Sequence, residues 1–545
     1  MVSLIPQVGQ IGLRLAISKQ YRNRYRQVIR TLLKHGFGVL VDQLGLSRYL
    51  PFRIIPFRHR EAVEAYTQAE RLRMVFEELG TTFIKFGQIL STRVDLLPSE
   101  YIYELGKLLD QVPPARADLI EAEIERELNR SVSEIFAYFD AEPMASASIG
   151  QVHAAKLKTG ESVVVKVKRP GVQDQVAIDV EIITDLARLA SRRLPAAKNY
   201  DFEGIAREFT QTLLRELDYI QEGRNADRFR ENFDGDKRVY IPYIYWDFTS
   251  SGVITMERIS GLRINDKKAL EEAGIDPKII ARQSADILLE QVFRHGFFHA
   301  DPHPANFFVM EDGVIGIVDF GMTGYIDQET KANLVEIFIA IFQQDADAVI
   351  DAYVDLGVVG RIERLGALRS DIRTLIMKYY GLTLRQVNVR DVLNDVVSLV
   401  RRYNLRLPAD LALLIKTVSM EESLVLQLDP NFNFAEAMAP FARRVWEESR
   451  SPLTIINRGL KALTEYADVA SRAPRQVRRI LNQLSRGELT VVMQQPRLDE
   501  ELQRVNLMVN RLILGIITAA ILTSVSMLLP FLNDILKRRR KRKVS

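Results

Sequence analysis

The hydrophobic period of this chain changes twice, and the changes divide it. From residue 61 to 110 the apolar positions Leu72, Phe76, Leu79, Phe83 and Phe86 recur at helical spacing among Glu and Arg, predicting helices that end at Pro113-Pro114. A further helix is expected over about 115–129. From Phe136 to Val167 the pattern becomes strand-like: a small-residue loop (Ala145, Ser146, Ala147, Ser148, Ile149, Gly150), a strand over 152–157, a turn at 158–161 and the β-branched run Val163–Val167. Helices at 172–193 and 202–229 follow, then strands at 238–243 and 252–257. Beyond Gly261 helices dominate, apart from one hairpin, Phe307–Met310 and Val314–Val318 around Glu311-Asp312-Gly313. The order predicts an α+β chain: a basic segment (1–60), a helical extension (61–130), a small antiparallel lobe (131–260) and a larger helical lobe (261–450).

After a charge-rich helical connector (451–505), residues 506–545 read as a membrane-associated helix and basic tail. Leu512–Leu532 is 21 residues without a charge, long enough to cross a hydrocarbon core of about 30 Å. Gly515 and Pro530 also suit a tilted or interfacial helix, so the pattern implies membrane attachment rather than a specified crossing. At 545 residues the chain exceeds one hydrophobic core. Its net charge of +4 is uneven: seven Lys or Arg precede the first acid, Asp42, and seven more form Lys537–Lys543, leaving the rest at −10. Basic termini suit anionic lipid, whereas the acidic middle suggests no nucleic-acid groove. Residues 1–41 fit either a transit peptide or an interfacial helix. The absence of cysteine excludes disulfides, thiolate metal sites and a cysteine nucleophile.

The chemistry lies in His299-Ala300-Asp301-Pro302-His303-Pro304-Ala305-Asn306 and Asp319-Phe320-Gly321, the H-x-D-x-x-x-x-N and D-F-G grammar of a protein-kinase site. Asp301 is expected to orient the attacking oxygen, with Asn306 and Asp319 as ligands of Mg²⁺; the hairpin between them can return all three to one edge. His295, His299 and His303 have the spacing of a helical metal row, but Pro302 and Pro304 break that helix, and His299 reads as a brace of the loop. Lys166, amid β-branched residues, is expected on nucleotide phosphates, paired with Glu222 from one helix that also carries Glu216 and Asp218. The loop Ala145–Gly150 replaces the usual glycine-rich phosphate cover. Met256-Glu257 is expected to lead into the hinge that pairs with adenine. No proline occurs between Pro304 and Pro408 and no A-P-E follows Asp319, so an ordinary activation segment is missing.

Together with Lys85-Phe86-Gly87-Gln88 and Glu216-Leu217-Asp218, these motifs resemble the UbiB family, the aarF-domain kinase-like proteins, over roughly residues 60–440. The resemblance implies a two-lobed protein-kinase-like fold whose K-x-G-Q helices lie over the active site, turning Lys85 and Gln88 inward with help from Glu216 and Asp218. It also implies ATP or ADP with Mg²⁺ and support of ubiquinone or related prenylquinone biosynthesis. Expected partners are membrane lipid, prenylquinone precursors and quinone-biosynthesis enzymes, with the lobes on the cytoplasmic side or its organellar equivalent. Two alternatives remain open: a protein kinase acting in trans, and a non-catalytic, nucleotide-sensing scaffold. Ala305, where the family usually has Gly, is a departure that removes no ligand.

Overall fold

The computed structural model describes residues 12–49, 66–93, 96–108, 112–195, 201–343, 345–356, 365–379, 386–403, 405 and 407–449. The connector and the Leu512–Leu532 stretch therefore lie outside the described residues. Among the described residues no helix is long and apolar enough to cross a membrane.

Helix α1 (Gly12–Lys34) precedes the extension, which consists of α2 (Gln68–Leu79), α3 (Thr81–Thr92) and α4 (Ser99–Leu105). Thr67 and Glu70 form a reciprocal capping box at the start of α2. Gly80, at φ 84°, lets the chain reverse directly into α3. The glycine of Lys85-Phe86-Gly87-Gln88 has a packing cause: a Cβ on Gly87 would lie 2.2 Å from Leu108 and 2.7 Å from Phe76.

The small lobe begins with α5 (Ala117–Leu128), β1 (Phe136–Phe139), β2 (Ala145–Ser146), β3 (Gly150–Leu157) and β4 (Ser162–Lys168). It continues through α6 (Val172–Arg193), α7 (Phe202–Glu216) and α8 (Tyr219–Asn232). The sheet runs β1-β3-β4-β6, with β2 on β3 and β6 at Val253–Glu257. On β4 the two-residue period decides function: Val163, Val165 and Val167 are fully buried against Ile120 and Ile124 of α5, so Lys166 must face the other way, toward α8.

Two expectations are corrected here. The helix expected over 202–229 is two helices, because Asp218 leaves helical geometry and its carboxylate accepts the Ile220 N–H at 3.1 Å, capping α8. The strand expected over 238–243 shortens to β5 (Val239–Tyr240), which pairs in the large lobe rather than the small one.

In the large lobe the sheet order is β5-β10-β9-β7, where β7 is Leu262–Arg263, β9 Phe307–Val309 and β10 Ile315–Ile317. A separate pair joins β8 (Phe297–His299) to β11 (Thr323–Tyr325). Helix α9 (Pro277–Leu289) precedes β8, and α10 (Gln328–Phe342), α11 (Ala346–Asp355), α12 (Leu365–Tyr379), α13 (Val389–Arg402), α14 (Ala409–Leu428) and α15 (Phe434–Ser449) follow β11.

Helices α9 and α14 pack together around a buried acid. Glu421, 1% exposed, accepts the Ser284 hydroxyl at 2.5 Å. Burial pushes its carboxyl up to about 7, the Ser284 hydrogen bond opposing. A raised pKa means the folded state favours the proton, so this stabilisation is complete below about pH 4.5 and is lost as pH rises through about 7. Chemical denaturation across that window is expected to show a fall on the order of 3 kcal/mol that Glu421→Gln flattens; an unchanged slope in the variant would show that Glu421 is not the group responsible.

Candidate active site

The catalytic loop is organised by His299. The Asp301 N–H donates to His299 Nδ1 at 3.2 Å, so the ring proton sits on Nε2, which donates to the Asp319 carbonyl at 2.6 Å. Both ring nitrogens are thereby engaged, and the brace role expected for His299 has a tautomer. Phe320 is buried against Phe229 and His299 at ring distances of 5.4 and 6.0 Å. Its carbonyl accepts the Asn225 amide at 2.9 Å, tying the Asp-Phe-Gly turn to α8. The turn places Asp319 at φ 64°, left-handed backbone that is uncommon outside glycine and concentrates at functional sites. The Gly321 N–H steadies it by donating to Asp319 Oδ1 at 3.1 Å.

Lys166 meets Glu222 at 2.8 and 2.9 Å and Asp319 at 3.6 Å. Burial draws the ammonium toward its neutral form, but Asp319 and Glu222 outweigh it and hold the Lys166 pKa well above its ordinary value. Partial burial also opposes ionisation of Asp319, yet Lys166 and the Gly321 N–H keep its carboxyl below the usual range. Glu222 is 4% exposed whereas the Asp319 side chain is 46% exposed, so Glu222 positions the lysine and Asp319 remains accessible to a ligand.

Asn306 joins from the other side. Its amide donates to the Asp301 carbonyl at 3.2 Å and to Asp301 Oδ2 at 3.4 Å, leaving Oδ1 as a ligand atom. The Val318 N–H donates to the Asn306 carbonyl at 2.9 Å, closing the hairpin between the two acids. No cluster of three or more His, Asp or Glu suited to a metal occurs among the described residues. An oxygen donor set of one or two carboxylates and an amide fits Mg²⁺, which retains waters and takes its remaining ligands from phosphate.

The alanine-rich loop is partly a strand: Ala145 and Ser146 pair as β2 with Val152 and Gln151. Arg169 fastens the turn, donating from Nε to the Ala147 carbonyl at 2.9 Å and from its terminal nitrogen to Ser146 Oγ at 2.8 Å. Thr81, at the start of α3, donates to the Ser148 carbonyl at 3.2 Å. The extension thus touches the loop directly. A Cβ on Gly150 would lie 2.3 Å from the Tyr219 hydroxyl and 2.7 Å from the Val167 carbonyl, so glycine is required by close approach.

Lys85 reaches Glu216 at 3.2 Å, with both side chains largely buried. Gln88 is half-buried, and its amide donates to the Leu108 carbonyl at 3.0 Å. Asp218, expected to help hold these residues, instead caps α8. At the hinge, Met256 faces the core and the Glu257 N–H is engaged by the Tyr243 carbonyl at 2.9 Å. The Arg258 N–H donates to the Ser162 carbonyl at 3.1 Å. Ile259 and Ser260, which follow, make no backbone–backbone hydrogen bond among the described residues.

Two family models match the chain, an ABC1 atypical kinase-like domain over residues 107–353 and a UbiB helical domain over residues 372–433. A protein of Azotobacter vinelandii named probable protein kinase UbiB is 37% identical over 417 residues, 76% of this chain and 77% of that protein. The chain belongs to the UbiB family of atypical kinase-like proteins. Relatives in this UbiB group include a Pseudomonas aeruginosa protein with the same name, 36% identical over 79% of this chain and 83% of its own length. An uncharacterized protein of Synechocystis sp. is 34% identical over 86% of this chain and 80% of its own length. A solved structure of a Mycobacterium tuberculosis protein with erythromycin is 25% identical, at a TM-score of 0.48 over 70% of this chain and 98% of that one.

Several groups of this UbiB-family site escape sequence reading. Arg169 and Asn225 act through backbone carbonyls, which leave no side-chain motif to recognise. Lys416 lies 3.6 Å from Asp301 although 115 residues separate them.

Proposed function

We propose that this chain is a membrane-associated atypical kinase or ATPase that binds adenine nucleotide with Mg²⁺ and supports the making or handling of ubiquinone or a related prenylquinone. The observation that carries the reading is Lys166 held charged by Glu222 beside Asp319, within a frame where His299 ties Asp319 to Asp301 and Asn306. Lys166 would take the α- and β-phosphates. Asn306 and Asp319 would hold Mg²⁺, which when bound supplies charge neutralisation at the phosphates. Asp301 would orient water: the bond from the γ-phosphorus to its bridging oxygen breaks, a bond to the water oxygen forms, and the water proton leaves by way of Asp301.

Water or a lipid hydroxyl is favoured over a peptide acceptor by the approach to the site. Only eight residues separate Asp319 from the start of α10, a short span for a peptide platform. Helix α3 packs on both α7 and α14, where, as the family resemblance implies, it would cover the face a peptide acceptor needs. The printed name of the UbiB relatives, probable protein kinase, supports the kinase part of the reading.

Membrane attachment draws on α1 as well as the apolar C-terminal stretch. Helix α1 buries Tyr25, Val28, Ile29 and Leu32 while Lys19, Arg22, Arg26 and Arg30 face out. Arg24 pins it to the fully buried Asp179 of α6 at 2.7 Å. Between α1 and α6 lies a cleft of about 520 Å³ whose lining includes Arg22, Arg26, Arg188 and Arg192 together with one acid, Asp185, which pairs with Arg188 at 3.0 Å and accepts the Tyr21 hydroxyl; the cationic excess suits anionic headgroups. Phosphate release by the full chain is expected to rise with vesicles containing phosphatidylglycerol and not with purely zwitterionic ones; equal rates would remove the membrane part of the reading. Restoration of quinone content in deficient cells by Asp301→Ala would favour a non-catalytic scaffold.

A further inference from the structure

Transfer of a terminal phosphoryl group develops charge on three oxygens, and a site stabilises it with cations. Between His299 and Asn306 the catalytic loop carries no lysine or arginine. Lys166 is already engaged by Glu222 and Asp319. The ammonium beside Asp301 comes instead from α14, where Lys416 Nζ lies 3.6 Å from Asp301 Oδ1. The two side chains are 25% and 36% exposed, so they sit where a ligand can reach them. A pair this exposed adds little to folding stability.

The helix that delivers Lys416 is fixed to the loop by its neighbours. The Thr417 hydroxyl, which donates to the Leu413 carbonyl of its own helix at 2.8 Å, also lies 3.3 Å from the carbonyl of Ala300, the residue before Asp301. Glu421, one turn on, is joined to Ser284 of α9. Leu424, Val425 and Leu428 then pack in the core that also contains Phe298, Ala300 and Phe320. The backbone at Lys416 is therefore held in register with the catalytic strand, while the ammonium sits on a flexible four-carbon stem that can turn from a carboxylate to a phosphate.

We propose that Lys416 is the residue of this chain that contacts the terminal phosphoryl group of ATP, moving to it from Asp301 when triphosphate is bound, and so distinguishes ATP from ADP. This rests on the nucleotide reading above and adds a role for the C-terminal helices: they complete the γ-phosphate site. Helix α3 also packs on α14, so the extension and this lysine meet at one helix.

The test is calorimetric titration of the full chain with a non-hydrolysable ATP analogue and, separately, with ADP, both with Mg²⁺. Lys416→Met is expected to weaken the triphosphate by about tenfold, the worth of one charge-assisted contact, while ADP affinity changes by less than about twofold. Lys416→Arg is expected to keep part of the preference, and Lys416→Gln repeats the Met experiment with a polar side chain should Met disturb folding. A structural role would weaken both nucleotides alike. Equal losses, or no loss for either, overturn the assignment to Lys416. A wild-type chain that binds neither nucleotide overturns the nucleotide reading itself, and this assignment with it.

Discussion

Asp319→Asn is expected to reduce nucleotide-dependent phosphate release by about 10²–10³-fold, equivalent to the several kcal/mol that a metal's charge contributes to phosphoryl transfer. The substitution keeps the size of the side chain and an oxygen for the Gly321 N–H, so the left-handed turn at φ 64° need not rearrange. What it removes is one negative charge: a ligand for the cation and a partner of Lys166 at 3.6 Å. With that partner neutral, Lys166 remains paired with Glu222 at 2.8 Å, and the fold should persist. Phosphate release and melting temperature measured on the same preparation separate these effects. A variant as active as wild type would show that the Asp-Phe-Gly carboxylate has no part in turnover.

The second large effect is on stability. Glu222→Ala is expected to cost about 2–4 kcal/mol, because Lys166 is only 20% exposed and would be left with Asp319 alone. Replacing both partners, Lys166→Met with Glu222→Leu, is expected to recover most of that loss, since the one charge left without its partner is Asp319, whose side chain is 46% exposed and stays hydrated. The double variant should nevertheless be inactive. Stability would thus return without turnover, which separates the pair's folding role from its chemical one. Equal melting of Glu222→Ala and wild type, followed by thermal denaturation, would mean that the ion pair is not desolvated.

Residues that carry their own chemistry were legible in sequence, and residues that serve the backbone were not. Lys166 and Glu222 could be paired because a lysine among Val163, Val165 and Val167 must find an anion, and the structure brings the two within 2.8 Å. The hairpin between Asn306 and Asp319 was legible for a similar reason, two apolar runs around Glu311-Asp312-Gly313. The break at Leu217-Asp218 was not, because an Asp at the N-cap and an Asp on a helical face have the same letters around them, and only the Ile220 N–H decides. Gln88 was expected to turn toward the nucleotide site, and the contact the structure gives its amide is the Leu108 carbonyl, which no side-chain pattern announces. The hinge shows the same limit: β6 ends at Glu257 as expected, while backbone hydrogen bonds to Tyr243 and Ser162, invisible in sequence, engage the N–H groups of Glu257 and Arg258. Lys416 required the packing of α14 on α9 before its distance to Asp301 could be read.

The central claim is that Lys166, Asn306 and Asp319 form one site for an adenine nucleotide and its cation. Titration of ATP into the full chain by calorimetry, in Mg²⁺ and then in EDTA, tests it most directly. The account predicts uptake that depends on the metal and is lost in Asp319→Asn. Absence of binding in Mg²⁺, or equal binding in EDTA, would contradict it.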